Sequence, residues 1–155
     1  MTLVPTKGAC FVNACEIAFS CNAATIARDY KDLVGQTEHD PDEEGYHPSV
    51  VNMAFLERYG RGLAQIDIRP IMDGEQFSPD VPGYVTDWFK RSQLQAVCTG
   101  LRDDGEAHAI AYRNGRFLDS IGVVLEEPNI AIQYVWLLGL PAFVPDATVE
   151  EGGDE

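Results

Sequence analysis

The chain has 155 residues, of which 45% are hydrophobic and 23% are charged, a composition typical of one soluble globular domain. Acidic residues outnumber basic ones by 25 to 11, which gives a formal net charge of −14. This charge repels phosphate backbones, so it argues against nucleic acid as a partner and favours basic partner surfaces. No secretory signal and no run long enough to span a bilayer is recognisable, so we expect a cytoplasmic protein without a membrane partner.

The first part of the chain has the pattern of helices. Between residues 10 and 30, apolar side chains recur at spacings of three and four, which predicts one helix with a buried stripe. Gly8 permits a tight turn into this helix, and Gly35 is suited to end it. The acidic segment 36–46 predicts a loop, and Pro48 suits the first turn of a second helix that ends near Tyr59.

The remaining chain predicts mainly strands. Residues 63–69 alternate, with Ala64, Ile66 and Ile68 on the buried face, and residues 94–101 form a second strand. A loop at 71–82 and a short helix at 84–91 are expected between them. Residues 130–138 fit either a buried strand or a short helix. Helices followed by an antiparallel sheet predict an α+β domain over residues 1–145, with a disordered acidic tail at 146–155.

The most informative segment runs from residue 106 to residue 119. Asn114 and Gly115 can supply the positive φ angles of a two-residue hairpin turn, so the flanking residues pair as antiparallel strands. This pairing predicts that His108 and Asp119 lie close together. A carboxylate in that position fixes the tautomer of an imidazole and stabilises its charged form. The same pattern also fits a structural histidine and an aspartate that ends a strand.

Cys10 is the candidate nucleophile. It lies at the expected start of the first helix, where backbone N–H groups and the helix dipole stabilise a thiolate. A nearby imidazolium would lower the pKa of the thiol further, and the same N–H groups could hold an oxyanion. Cys15 and Cys21 are expected within the first helix and Cys98 within a strand, where they act as apolar side chains.

The cysteine spacing does not resemble that of a zinc ribbon, which usually opens with two cysteines separated by two residues. The gaps between Cys10, Cys15 and Cys21 are four and five residues. His39 and His47 could complete a metal site by ligand type alone, which leaves a metal-binding module as a third alternative. We expect free thiols and no metal or other cofactor.

The residues around these candidates resemble the papain-like cysteine peptidases, most closely compact viral leader and papain-like proteases. The resemblance is carried by Gly8-Ala9-Cys10-Phe11-Val12-Asn13-Ala14 and by His108-Ala109 with Asp119 on a late hairpin. It implies a papain-like α+β fold, in which an N-terminal helical part with the cysteine packs on an antiparallel sheet with the histidine and aspartate. It further implies Cys10 as nucleophile, His108 as general base and acid, and Asp119 as the orienting carboxylate.

The resemblance implies hydrolysis of peptide or isopeptide bonds, as in viral polyprotein self-processing or cleavage of host proteins in the host cytoplasm. The substrate would be a protein or peptide, including a ubiquitin-like protein or the chain's own tail with Gly152 and Gly153. The acidity of segments 36–46 and 71–83 predicts basic residues near the cleaved bond.

One departure from the family favours a different function. Many members have a Gln or Asn just before the cysteine that completes the oxyanion hole, whereas Leu3-Val4-Pro5-Thr6-Lys7 has neither. Backbone N–H groups, alone or together with Thr6, would then have to stabilise the oxyanion. The alternative is a catalytically inactive papain-like domain that binds a protein partner, for example as an antagonist of host proteins.

Overall fold

The computed structural model describes residues 2–35, 39–69 and 83–141. Within these ranges the helices are α1 (Cys10–Phe19), α2 (Ala23–Val34), α3 (Pro41–Glu44), α4 (Pro48–Tyr59) and α5 (Gly83–Ser92). The strands are β1 (Arg61–Asp67), β2 (Ala96–Leu101), β3 (Ala107–Arg113), β4 (Arg116–Leu118), β5 (Val124–Leu125) and β6 (Ala131–Pro141). The α+β class is confirmed. No helix in the described ranges is long and apolar enough to cross a membrane. The predicted loop at 71–82 and the predicted tail at 146–155 lie outside these residues.

The single helix predicted over residues 10–30 is wrong, because the structure divides it into α1 and α2. Ser20 has a left-handed φ of 61° and its N–H donates to the carbonyl of Glu16, which ends α1. The side chain of Asn22 accepts a hydrogen bond from the N–H of Thr25 and caps α2. The buried Glu16 carboxylate then joins the two helices by accepting from the N–H of Ala23 at 2.9 Å.

The segment predicted as a loop at 36–46 contains the short helix α3. The carboxylate of Asp40 caps it by accepting a 3.0 Å hydrogen bond from the N–H of Asp42. Gly8 lies directly against this helix, since a Cβ at that position would be 2.2 Å from the carbonyl oxygen of Pro41. The role of Gly8 is therefore to permit a close backbone approach just before α1. The helix predicted from Pro48 to Tyr59 is confirmed as α4.

The six strands form one antiparallel sheet in the order β1-β6-β2-β3-β4-β5. The apolar run at 130–138 is a strand, because β6 pairs with both β1 and β2 and is covered on both faces. Asn114 and Gly115 have φ angles of 54° and 78°, which confirms the predicted hairpin between β3 and β4. On β1, Ile66 is partly buried as predicted, but Ala64 is exposed.

The two faces of the sheet have separate cores. On one face, helices α1, α2 and α4 pack against residues that include Val97, Ala109, Ala111 and Trp136. On the other face, Phe89 of α5 packs against a second set of strand residues, which includes Cys98, Ile110, Tyr112, Phe117 and Val135. Successive residues of β3 therefore point to opposite faces. Odd-numbered positions face the N-terminal helices, and even-numbered positions face α5.

Gly100 permits another close approach, at the irregular register between β2 and β6. A Cβ there would lie 1.8 Å from the carbonyl oxygen of Ala131, so we expect Gly100→Ala to lower the free energy of unfolding by about 3 kcal/mol or more. Gly60→Ala is the control, because Gly60 has left-handed angles with a φ of 67° but no atom within 4 Å of the added Cβ. It should lose only about 1 kcal/mol in urea denaturation. Equal losses in the two variants would contradict the close approach.

Candidate active site

Cys10 is the first residue of α1 and is partly exposed. A 3-10 turn at Lys7–Ala9 leads into it. Burial raises the pKa of the thiol above its ordinary value of 9.0, although the backbone N–H groups of Ala109, Phe11 and Cys10 itself favour the thiolate. The positive charge of Arg102 favours the thiolate as well. Because burial outweighs these effects, the thiol is protonated near neutral pH.

Two side chains hold the segment that precedes Cys10. The amide of Asn13 accepts from the N–H of Val4 at 2.8 Å and donates to its carbonyl at 2.9 Å. The hydroxyl of Thr6 donates to Asp42 at 3.2 Å. Thr6 is thus engaged with α3, and the donors near the sulfur are backbone N–H groups.

His108 and Asp119 are brought together by the hairpin, as the strand pairing predicts. The Nε2 atom of His108 lies 3.2 Å from Oδ1 of Asp119. The same carboxylate oxygen accepts a 2.6 Å hydrogen bond from the N–H of Ser120. The backbone of Asp119 is fixed by bonds to Val123 and Gly122 that close a tight turn. Since Asp119 accepts from Nε2, the ring nitrogen left for acid–base chemistry is Nδ1.

Arg102 is a site residue that sequence reasoning missed. One of its terminal guanidinium nitrogens lies 3.1 Å from Nδ1 and 3.2 Å from Nε2 of His108. It follows β2, where Gly100 is the cross-strand partner of His108. A residue two positions beyond such a partner is a diagonal neighbour on the same face of the sheet. A signal for this contact was available in the residues Asp103-Asp104-Gly105, which are typical of a turn and so fix which residues of β2 and β3 lie opposite each other.

The electrostatic environment keeps the ring of His108 neutral. Burial lowers its pKa below the ordinary value of 6.5, and the charge of Arg102 lowers it further, while the hydrogen bond to Asp119 acts in the opposite direction. The ring and the Cys10 thiol are thus both uncharged near neutral pH. Both pKa shifts disfavour the thiolate–imidazolium pair expected from the sequence.

Cys10 and His108 are both described by the structure, and no hydrogen bond joins their side chains. The thiol lies beside the backbone of Ala109, which packs on the side of the sheet that carries α1. Strand alternation directs the adjacent His108 to the face that carries Ile110, Tyr112 and α5. The structure therefore joins His108 to Asp119 and Arg102. The thiol of Cys10, on α1, lies beside Ala109, the residue that follows His108 on β3.

The remaining cysteines and the histidines considered as metal ligands lie outside the candidate site. Cys15 and Cys98 are fully buried, whereas Cys21 lies in the link between α1 and α2 rather than within a helix as predicted. Burial raises the pKa of Cys21 and of Cys98 to about 12. All four cysteines are free thiols. In the described ranges no group of three or more His, Cys, Asp or Glu side chains could hold a metal ion. His39 contacts Glu44 at 2.7 Å, and His47 caps α4.

We expect the His108 ring to titrate with a midpoint below 6.5 when followed by NMR. Asp119→Asn should lower this pKa further, because the variant removes the carboxylate that stabilises the imidazolium, and Arg102→Gln should raise it. Because the folded state resists protonation of His108, this residue also reduces stability as the pH falls below 6.5. A His108 midpoint that is unchanged in both variants would contradict the described contacts.

A comparison of the chain with models of known protein families finds no match, and a comparison with the sequences of characterised proteins finds none either. Function must therefore be argued from the chemistry of the site itself.

Proposed function

We propose that the protein is a thiol hydrolase of the papain-like cysteine peptidase type, which cleaves peptide or isopeptide bonds with Cys10 as nucleophile. One observation carries the proposal. The thiol of Cys10, at the first position of α1, has three backbone N–H groups close to it. One of them belongs to Ala109, which follows His108 on β3, and His108 is paired with Asp119. A thiol, an oriented base and backbone donors are the groups that acyl transfer requires.

In the proposed reaction the sulfur of Cys10 attacks the carbonyl carbon of the scissile bond. Nδ1 of His108 accepts the thiol proton and then gives it to the departing amine, which leaves a thioester on Cys10. The backbone N–H groups of Cys10 and Phe11 stabilise the negative charge that forms on the carbonyl oxygen. Water then attacks the thioester with His108 as general base, the carbon–sulfur bond breaks, the acyl part of the substrate leaves as a carboxylic acid, and His108 returns the proton to the sulfur of Cys10.

The resting protonation states suit this mechanism, because a neutral imidazole has the lone pair that a general base needs and the thiol still carries its proton. Because His108 is directed away from the face on which Cys10 packs, its ring must reorient to come within hydrogen-bond distance of the sulfur when substrate is bound. Catalytic hydrogen bonds are often long in ligand-free enzymes and shorten in the complex with substrate. In this proposal the thiol is ionised during the attack, rather than beforehand as an ion pair.

An exposed apolar surface beside Asp119 supports a peptide as the substrate. Ile121 is 65% exposed and Val123 is 55% exposed, and Val124 begins β5 at the edge of the described sheet. An extended peptide can add to such an edge through backbone hydrogen bonds while its side chains contact the apolar residues. This surface would hold the substrate on the side of the site that carries Asp119.

The test is cleavage of a diverse peptide library, read by mass spectrometry, by the wild type and by Cys10→Ala. We expect cleavage by the wild type and by the control variant Cys21→Ala, and none by Cys10→Ala. Cys21 is a matched control because it is also a partly exposed free thiol, but its pKa is raised to about 12. The proposal fails if Cys10→Ala cleaves the same peptides as the wild type, or if no peptide or ubiquitin-linked isopeptide substrate is cleaved.

A second candidate function is a catalytically inactive domain that binds a protein partner. The observation that favours it is the strand alternation that directs His108 away from the face on which Cys10 packs. In this alternative the exposed Ile121 and Val123 contact the partner, and substitution of Cys10 has no effect on binding. The two candidates are separated by whether Cys10→Ala changes any measured activity.

A further inference from the structure

The cations that form side-chain contacts in the described part of the chain have different kinds of partner, and Arg61 and Arg113 donate to backbone carbonyls or a hydroxyl. Three of those cations pair with carboxylates: Lys31 with Asp42, Arg58 with Asp29, and Arg69 with Asp67. The side chain of Arg102 instead contacts the neutral ring of His108, and no carboxylate within the described ranges forms an ion pair with it. The residue is exposed, so its guanidinium is accessible to a ligand.

The backbone of Arg102 is held in place while its side chain reaches the site. Its N–H donates to the carbonyl of Glu106 at 2.8 Å, and its carbonyl accepts from Gly105 at 2.9 Å. A guanidinium presents a planar fork of donors that matches the two oxygens of a carboxylate. Within the described ranges the guanidinium of Arg102 contacts an uncharged base rather than a carboxylate, so it can take a carboxylate from a ligand.

We propose that Arg102 binds a carboxylate group of the substrate, and that this contact draws its guanidinium away from Nδ1 of His108. The first part concerns binding alone, whereas the second part rests on the proposed hydrolase function. The charged and polar groups that face His108 are Arg102 after β2, and Asp119 with Ser120 after β4. A carboxylate on Arg102 neutralises the charge that opposes protonation of the ring, and it frees Nδ1 to accept the proton of Cys10.

Binding of a carboxylate by Arg102 would be a second substrate preference, in addition to the preference for basic residues. The acidity of segments 36–46 and 71–83 predicts basic residues near the cleaved bond, whereas Arg102 would bind an acidic group of the substrate. The carboxylate at Arg102 has two chemical sources, which are the free C-terminus of a peptide and the side chain of an aspartate or glutamate. Both present the same two oxygens to the guanidinium, so the experiment must separate them.

The experiment follows the His108 ring resonances by NMR in the Cys10→Ala protein, so that no turnover is needed. Three probes are titrated: acetyl-Gly-Gly with a free carboxylate, acetyl-Gly-Glu-amide, and the neutral acetyl-Gly-Gly-amide. We expect at least one carboxylate probe to shift the resonances and raise the pKa of His108, and the neutral amide to do neither. A response to the first probe alone identifies the C-terminus as the source, and a response to the second alone identifies the side chain.

Two variants make the result specific to Arg102. Arg102→Gln should abolish the response to the carboxylate probes, whereas Arg116→Gln should leave it unchanged, because Arg116 is exposed at the turn end of the β3–β4 hairpin. Equal responses to carboxylate and amide, no response to any probe, or a full response in Arg102→Gln would overturn the inference. Carboxylate binding without any cleavage in the library assay would refute the hydrolase function alone.

Discussion

Replacing His108 with alanine is expected to reduce the turnover of a cleaved peptide by roughly 100- to 10,000-fold, because a positioned general base contributes about that much to the rate. The loss should fall mainly on kcat, since the ring of His108 is buried and, in the proposed mechanism, moves a proton without holding the substrate. Added free imidazole should restore part of the activity, because it can replace the missing base. The measurement is kcat and KM for the best peptide of the library, with and without imidazole.

His39→Ala is the matched control for this prediction. His39 is an exposed histidine that contacts Glu44 and the carbonyl of Gly45, next to α3 and outside the candidate site. Its replacement should leave kcat unchanged. Wild-type turnover in His108→Ala would exclude His108 as the base, and a loss that imidazole does not restore would assign it a structural role.

Replacing Phe89 with alanine is expected to lower the free energy of unfolding by about 3–5 kcal/mol, as is typical when a buried phenylalanine is truncated. Phe89 is fully buried, and its ring lies 4.5 Å from that of Tyr112 and 5.8 Å from that of Phe117. These two rings belong to β3 and β4, the strands that carry His108 and lead into Asp119. The cavity should therefore loosen the His108–Asp119 contact in addition to reducing stability.

Urea denaturation measures this loss, and Met53→Ala is its control. Met53 lies on α4 with 52% of its surface exposed, so its truncation should change stability by about 0.5 kcal/mol or less. A loss of less than about 1 kcal/mol in Phe89→Ala would contradict the packing of α5 against the sheet.

Local chemistry explains which elements were predictable from the sequence. Pro48 and Gly60 mark the two ends of α4, and Asn114 with Gly115 mark the turn of the hairpin. The break at Ser20 was not predictable, because the apolar spacing continues across it and both helices pack on the same core. The apolar run of β6 is compatible with a helix or a strand, and pairing with β1 and β2 decides between them.

In the candidate site, too, the features set by local sequence were predictable and those set by packing were not. The proximity of His108 and Asp119 follows from a two-residue turn, and the position of Cys10 follows from the start of a helix. The relation between Cys10 and His108 depends on which face of the sheet α1 covers, and no local pattern contains that information. The contact of Arg102 with His108 depends on the register of β2 against β3, which is set by the whole hairpin.

In the proposed mechanism His108 activates Cys10 when a peptide is bound. The most direct measurement is the rate at which a peptide with a thiol-reactive vinyl sulfone group modifies each cysteine, read by mass spectrometry of the digested protein. We expect selective modification of Cys10 near neutral pH, much faster than its alkylation by iodoacetamide, and loss of that selectivity in His108→Ala. Modification of Cys10 no faster than that of Cys21, or at the same rate in His108→Ala as in the wild type, would contradict this mechanism.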